Sequence, residues 1–144
     1  MIYLDTSCLC KLVRPEPGSA DVRAAITAEP EVVVSVLAEL ETLVQLKASW
    51  AGGSYTTPQW RKLELELGLL RNQPPFEFRP LPARIFQTAL RQHRNSGELH
   101  CRSLDRLHLA AMEELKISRL MTHDESQAKA AVEMGFEVVR PGRD

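Results

Sequence analysis

The chain has 144 residues, 44% of them hydrophobic, which suffices for one ordinary domain with a single core and is too short for two typical ones. Lys and Arg number 18 against 19 Asp and Glu, giving a net charge of −1. That balance excludes bulk electrostatic capture of a polyanion and leaves room for a local basic patch. Cys8, Cys10 and Cys101 make no even disulfide framework, and Cys8 and Cys10 lack the spacing of a redox or zinc pair, so small buried apolar residues are expected. With no basic leader and no apolar run near the ~20 residues of a membrane span, the expectation is one soluble, cytoplasmic domain over residues 1–144.

In chain order, Met1–Leu4 reads as a strand that enters a loop at Asp5, and Glu31–Val34 reads as a second strand. Ser35 is placed to cap a helix over Val36–Trp50, which the Gly52-Gly53 pair ends. Thr57-Pro58 opens the next helix at cap and first-turn positions, and that helix runs to about Leu70. Its Trp60, Leu63, Leu67 and Leu70 recur at helical spacing, with Leu69 beside them. They suit core packing, or a groove for a partner helix or a second copy of the chain. Pro74-Pro75 forces an extended connection, Phe76–Arg79 is a further strand candidate, and Pro82 starts a helix that Ser96-Gly97 terminates. A helical pattern over Leu104–Leu115 precedes strands at Leu120–Thr122 and Glu137–Val139. Strands alternating with helices predict βαβ units and a parallel α/β sheet with right-handed crossovers.

Such a sheet gathers its site beyond the carboxyl ends of the strands. Asp5 and Asp124 fall there by position. In the helix after Leu104, the residues Leu104, Leu107, Ala111 and Leu115 form an apolar stripe, with Arg106 opposite. Asp105 and His108 share the side of Met112 at the stripe's edge, which predicts a partly buried carboxylate. A further acid stands early in the helix capped by Ser35. Glu39 and Glu41 lie on nearly opposite faces there, and periodicity does not separate them. Converging carboxylates repel one another and resist desolvation, so a cluster of four predicts a divalent cation and metal-assisted chemistry on a phosphate. Thr6, Ser7 and Thr122 place hydroxyls beside the acids, suited to orienting ligands or to ordinary turn and cap bonds. His108 and His123 form no recognised zinc pair, and neither is taken as catalytic. Arg84, Arg91, Arg94, Arg102 and Arg106 make a local basic excess suited to phosphate contacts or to a solvated face.

Several segments resemble, in order, those of PIN-domain ribonucleases, especially VapC-type toxins of bacterial toxin–antitoxin pairs. They are Ile2-Tyr3-Leu4-Asp5-Thr6-Ser7, Val34 to Leu40, Leu104-Asp105-Arg106-Leu107-His108-Leu109-Ala110, Leu120 to Asp124, and Ala130 to Val138. The resemblance implies a single PIN-like domain: three α/β/α layers around a central, mainly parallel sheet of four to five strands. It selects Glu39 over Glu41, making Asp5, Glu39, Asp105 and Asp124 the acids, with Asp5 and Asp105 the principal ligands of Mg²⁺ or Mn²⁺. It further implies RNA hydrolysis leaving 5′ phosphate and 3′ hydroxyl ends, a homodimer, and a small antitoxin that blocks the site. Arg106 replaces the small residue expected after the third acid, and its phase points it outward, where it could serve RNA. Competing readings are a housekeeping RNA-processing nuclease, a PIN-like module that binds without cutting, and an aspartate phosphoacceptor, which would want a strand-end lysine that this chain lacks.

Overall fold

The structure, a computed structural model, describes residues 1–143. Five strands, β1 (Ile2–Leu4), β2 (Val32–Ser35), β3 (Phe76–Arg79), β4 (Arg119–Met121) and β5 (Glu137–Val139), form one sheet in the order β3-β2-β1-β4-β5. Every pairing is parallel, as the alternation of strands and helices predicts, and the Phe76–Arg79 candidate is a strand paired along its whole length with β2.

Seven helices connect the strands: α1 (Thr6–Val13), α2 (Ser19–Thr27), α3 (Val36–Ala51), α4 (Thr57–Leu69), α5 (Ile85–Asn95), α6 (Ser103–Glu114) and α7 (Glu125–Glu133). The chain first steps from β1 to β2 and β3, then crosses back to β4 and β5 on the other side of β1. With crossovers of one hand, that reversal moves the connecting helices to the opposite face of the sheet. Two separate cores result. Ile2, Leu4, Val32, Val34 and Met121 pack against Leu9, Val22, Ala38, Leu46 and Leu67 of α1 to α4. Tyr3, Val33 and Leu120 pack against Ile85, Leu109, Met112 and Ala131 of α5 to α7. The inner strands β1 and β2 are buried on both faces, so they read as continuous apolar runs while alternate residues serve different layers.

The helix boundaries follow local chemistry, with small corrections to the sequence reading. Ser35 caps α3 by accepting from the Ala38 N–H at 3.2 Å. The cap of α4 is Thr56, one residue before the expected Thr57, because Gln59 completes a reciprocal capping box with it. The helix expected from Pro82 begins at Ile85, after a turn in which the Ile85 N–H donates to the Pro82 carbonyl. Helices α1 and α2 carry no punctuation that the sequence reading used. The Cys8 thiol is fully buried, and burial pushes its pKa up to about 12, so it behaves as an apolar residue.

The turn after α3 places Gly53 at φ +84°, and a Cβ added there would meet nothing within 4 Å. Backbone strain alone therefore sets the cost of a side chain. Gly53→Ala is expected to destabilise by about 1 to 2 kcal/mol, read as a lower urea midpoint with an unchanged slope.

Candidate functional site

The strand order reverses between β1 and β4, and the crevice beyond their carboxyl ends opens into a cavity of about 840 Å³. Asp5, Glu41, Asp105 and Asp124 all line it, together with His108 and Arg102. Three of the acids stand at helix N-termini. Asp5 caps α1, Asp124 caps α7, and Asp105 lies in the first turn of α6. The orphan N–H groups and positive dipole ends there favour anions, which offsets part of the repulsion among them.

Asp5 is only 3% exposed and is held by donors on every side. Its Oδ1 accepts from the Thr6 N–H at 2.7 Å, and its Oδ2 from the Ser7 hydroxyl at 2.8 Å and the Thr122 hydroxyl at 2.7 Å. The fully buried Gln127 of α7 turns its amide nitrogen to the same carboxylate, at 2.9 and 3.2 Å. These bonds lower the cost of removing the charge from water and leave the carboxylate a single orientation. Ser7 and Thr122 thus contact an acid directly, and the Thr6 hydroxyl donates to Glu41 at 2.9 Å.

The structure corrects the choice between the two α3 acids. Glu39 lies outside the cavity, ion-paired with Arg71, whose guanidinium rests 4.7 Å from the Phe78 ring centroid. Glu41 faces the site instead, because α3 buries Leu37, Ala38, Thr42 and Leu46. The face that carries polar Thr42 and Gln45 meets α1, where both accept from the Cys10 thiol, whereas Leu40 and Val44 are exposed.

His108 explains how Glu41 is fixed. Its ring is 1% exposed; Nε2 lies 2.5 Å from Glu41 Oε1 and 3.9 Å from Asp5 Oδ1, while Nδ1 lies 2.8 Å from the Tyr3 hydroxyl. Facing a carboxylate, Nε2 is the donor. The Tyr3 hydroxyl donates onward to Ser35 at 2.6 Å, so one buried chain ties β1, β2, α3 and α6 together. Burial pushes the pKa of Glu41 up, but hydrogen bonds from His108 and Thr6 and the charge of Arg102 outweigh it, and the net direction is down.

Helix α6 is buried over more of its circumference than one stripe. Asp105, His108, Leu109 and Met112 form its inner line, Leu104 is exposed, and Arg106 is buried with Nη1 3.3 Å from the Met134 sulfur. The outward Arg106 expected from phase is thus corrected, because Met134 at the end of α7 lies against its guanidinium. The arginine run likewise makes no single patch, since Arg91 pairs with Glu113 and Arg102 turns into the acids. Arg102 Nε donates to Asp105 Oδ2 at 2.8 Å and Nη2 to Asp124 Oδ2 at 2.9 Å.

Among the described residues, no three His, Cys, Asp or Glu side chains stand close enough together to hold an ion as they are placed. The donor set is nevertheless the hard-oxygen kind that Mg²⁺ and Mn²⁺ take, and a guanidinium already bridges two of its members, so positive charge is what these carboxylates accept.

Beside a parallel sheet with this reversal and acids after β1 and β4 and within α3 and α6 stands a family match: the PIN-domain family model matches residues 2–133. The chain belongs to the PIN-domain family. It is 30% identical to ribonuclease VapC47 of Mycobacterium tuberculosis (strain CDC 1551 / Oshkosh), over 99% of this chain and 98% of that protein. Its fold is similar to that of Mycobacterium tuberculosis VapC20, a toxin that cleaves the sarcin-ricin loop, with a TM-score of 0.74 and 18% identity over 98% of this chain and all of that one. It is also similar to VapBC2 of Rickettsia felis, solved bound to a promoter DNA fragment, with a TM-score of 0.71 and 13% identity over 96% of this chain and 98% of that one. No helix of the described residues is long and apolar enough to cross a membrane.

The lowered pKa of Glu41 has a consequence for stability. Its contribution is complete above the ordinary carboxylate value of 4.5 and is lost as pH falls through the lower folded value. The stability gap between the wild type and Glu41→Gln, measured by urea unfolding across pH, is expected to be full at pH 7 and to close below 4.5.

Proposed function

We propose that this protein is a metal-dependent endoribonuclease and the toxin of a toxin–antitoxin pair. The observation that carries the reading is the convergence of Asp5, Glu41, Asp105 and Asp124 on one cavity at the switch point of a PIN fold. The relative at 30% identity over nearly the whole chain, a ribonuclease, supports the same reaction, and the fold's likeness to toxin structures supports the biological role.

Asp5, Asp105 and Asp124 would hold Mg²⁺ or Mn²⁺, with Glu41 completing the set in the place the resemblance gave to Glu39. Such an ion supplies Lewis-acid activation of water and charge relief at the phosphate. The protein supplies the rest. Gln127, Ser7 and Thr122 keep Asp5 in one orientation, so it needs no rearrangement when charge develops nearby. His108 and Thr6 hold the Glu41 carboxylate toward the cavity and, through its lowered pKa, keep it ionised at neutral pH. Lys11, Arg14 and Arg143 also line the cavity and suit the RNA backbone on either side of the scissile phosphate. Cleavage leaves 5′ phosphate and 3′ hydroxyl ends, and the enzyme acts in the cytoplasm.

Two apolar surfaces suit the partners. Helices α3 and α4 pack together and leave Leu40, Val44, Leu65 and Leu69 exposed, a face fitted to an antitoxin helix. On the other side, Phe86, Leu90 and Leu107 surround a second cavity of about 400 Å³, which suits a second copy of the chain.

Asp5→Asn and Asp105→Asn are expected to lower Mg²⁺-dependent cleavage of RNA by purified protein at least about 100-fold. Glu41→Gln should fall with them, while Glu39→Gln stays near wild type. Growth arrest on expression, lost with Asp5→Asn, supports the toxin role, and harmless expression of active enzyme overturns it. A doubly substituted Leu40→Glu, Val44→Glu protein should cut RNA normally and fail to hold the antitoxin encoded beside it, as measured by co-purification.

A further inference from the structure

Arg102 is the least expected member of the site. It is the N-cap residue of α6, with extended backbone and no capping bond from its side chain. All the hydrogen bonds of its guanidinium go to two acids: Nε to Asp105 Oδ2 at 2.8 Å, Nη2 to Asp105 Oδ1 at 3.4 Å, and Nη2 to Asp124 Oδ2 at 2.9 Å. The acids are sheltered, with side chains 9% and 29% exposed, whereas the Arg102 side chain is 62% exposed. A cation so open to water is held by its ion pairs and not by packing, and because exposed pairs are weak and screened it is readily released.

Resting on the metal-nuclease reading, we propose that Arg102 is an exchangeable cation. It and a divalent ion compete for the same oxygens of Asp105 and Asp124, and the displaced guanidinium, still at the cavity mouth, takes a phosphate of the bound RNA. The physical grounds are two. One guanidinium and one divalent ion oppose each other at Asp105 Oδ2 and Asp124 Oδ2, because both draw on the same two oxygens and two cations a few ångströms apart in a sheltered cavity repel. A planar fork released from carboxylates also matches phosphate oxygens, which present similar bidentate geometry. Arg102 would thus hold the α6 and α7 acids at their spacing until the ion arrives and then serve the substrate.

The two halves predict opposite signs for one substitution. Arg102→Ala is expected to bind Mn²⁺ about 10-fold more tightly by calorimetry without RNA, because no internal cation must be displaced first. The same variant is expected to show a several-fold higher KM for RNA at saturating Mg²⁺, and Arg102→Lys should recover part of that loss. In wild-type protein labelled with ¹⁵N, the Arg102 Nε–H resonance should shift when Mg²⁺ is added without RNA, as the guanidinium leaves the carboxylates. Unchanged or weaker Mn²⁺ binding in Arg102→Ala, or an Arg102 Nε–H resonance that Mg²⁺ leaves unmoved, overturns the competition. An unchanged KM for RNA overturns the phosphate contact. The metal reading fails separately, if wild-type protein takes up no Mn²⁺ or if Asp5→Asn takes it up equally well.

Discussion

The structure depends on keeping the Asp5 carboxylate buried and charged where the sheet reverses direction. A carboxylate that is 3% exposed is tolerable only with donors in place, and this one draws them from α1, the end of β4 and α7. Each donor belongs to an element whose position the sheet order already dictates, so the parallel topology and the hydrogen-bonded acid support each other. Changing the register of β1 by one residue would turn Tyr3 to the face that Ile2 and Leu4 occupy and carry Asp5 away from its donors, losing both cores and the site.

The remaining acids converge under the same constraint with different solutions. Asp105 and Asp124 use helix N-termini and share the Arg102 guanidinium. Glu41 sits beyond the first turn of α3, where the dipole gives less, and relies on His108 and Thr6. His108 also reaches the Tyr3 hydroxyl, and Tyr3 reaches Ser35, the cap of α3. The helix that presents Glu41 is therefore anchored at its start by the same buried chain that grips the acid two turns later. A site of like charges is rigid here because its supports belong to the core.

Much of this was legible in the residues. Short apolar runs separated by helical patterns and by Gly and Pro punctuation gave the strands, their parallel pairing and most helix ends. Strand-end position located Asp5 and Asp124 beside the crevice, and helical phase put Asp105 at a buried edge. The resemblance to PIN-domain proteins agreed with the fold and selected Glu39, which the structure places outside the cavity that Glu41 lines. Periodicity left the two α3 acids unseparated, because this helix exposes apolar Leu40 and Val44 and buries polar Thr42. Gln127 left no readable signal, and Arg102 stood out only as one of a run of arginines, since Asp5, which Gln127 meets, and Asp124, which Arg102 bridges to Asp105, lie far from them in the chain.

Sequence alone determined what local chemistry controls: alternation along strands, caps and turns, and the acids that topology must bring to the strand ends. Those properties depend on neighbours within a few residues or on rules of chain crossover. Tertiary structure decided which of Glu39 and Glu41 enters the cavity, that Arg106 is buried, and that Arg102 bridges two acids. Each outcome depends on surfaces contributed by distant elements: α1 against α3, the end of α7 against Arg106, and the start of α7 against the start of α6. Helical phase states which residues share a face, and only packing states what that face meets.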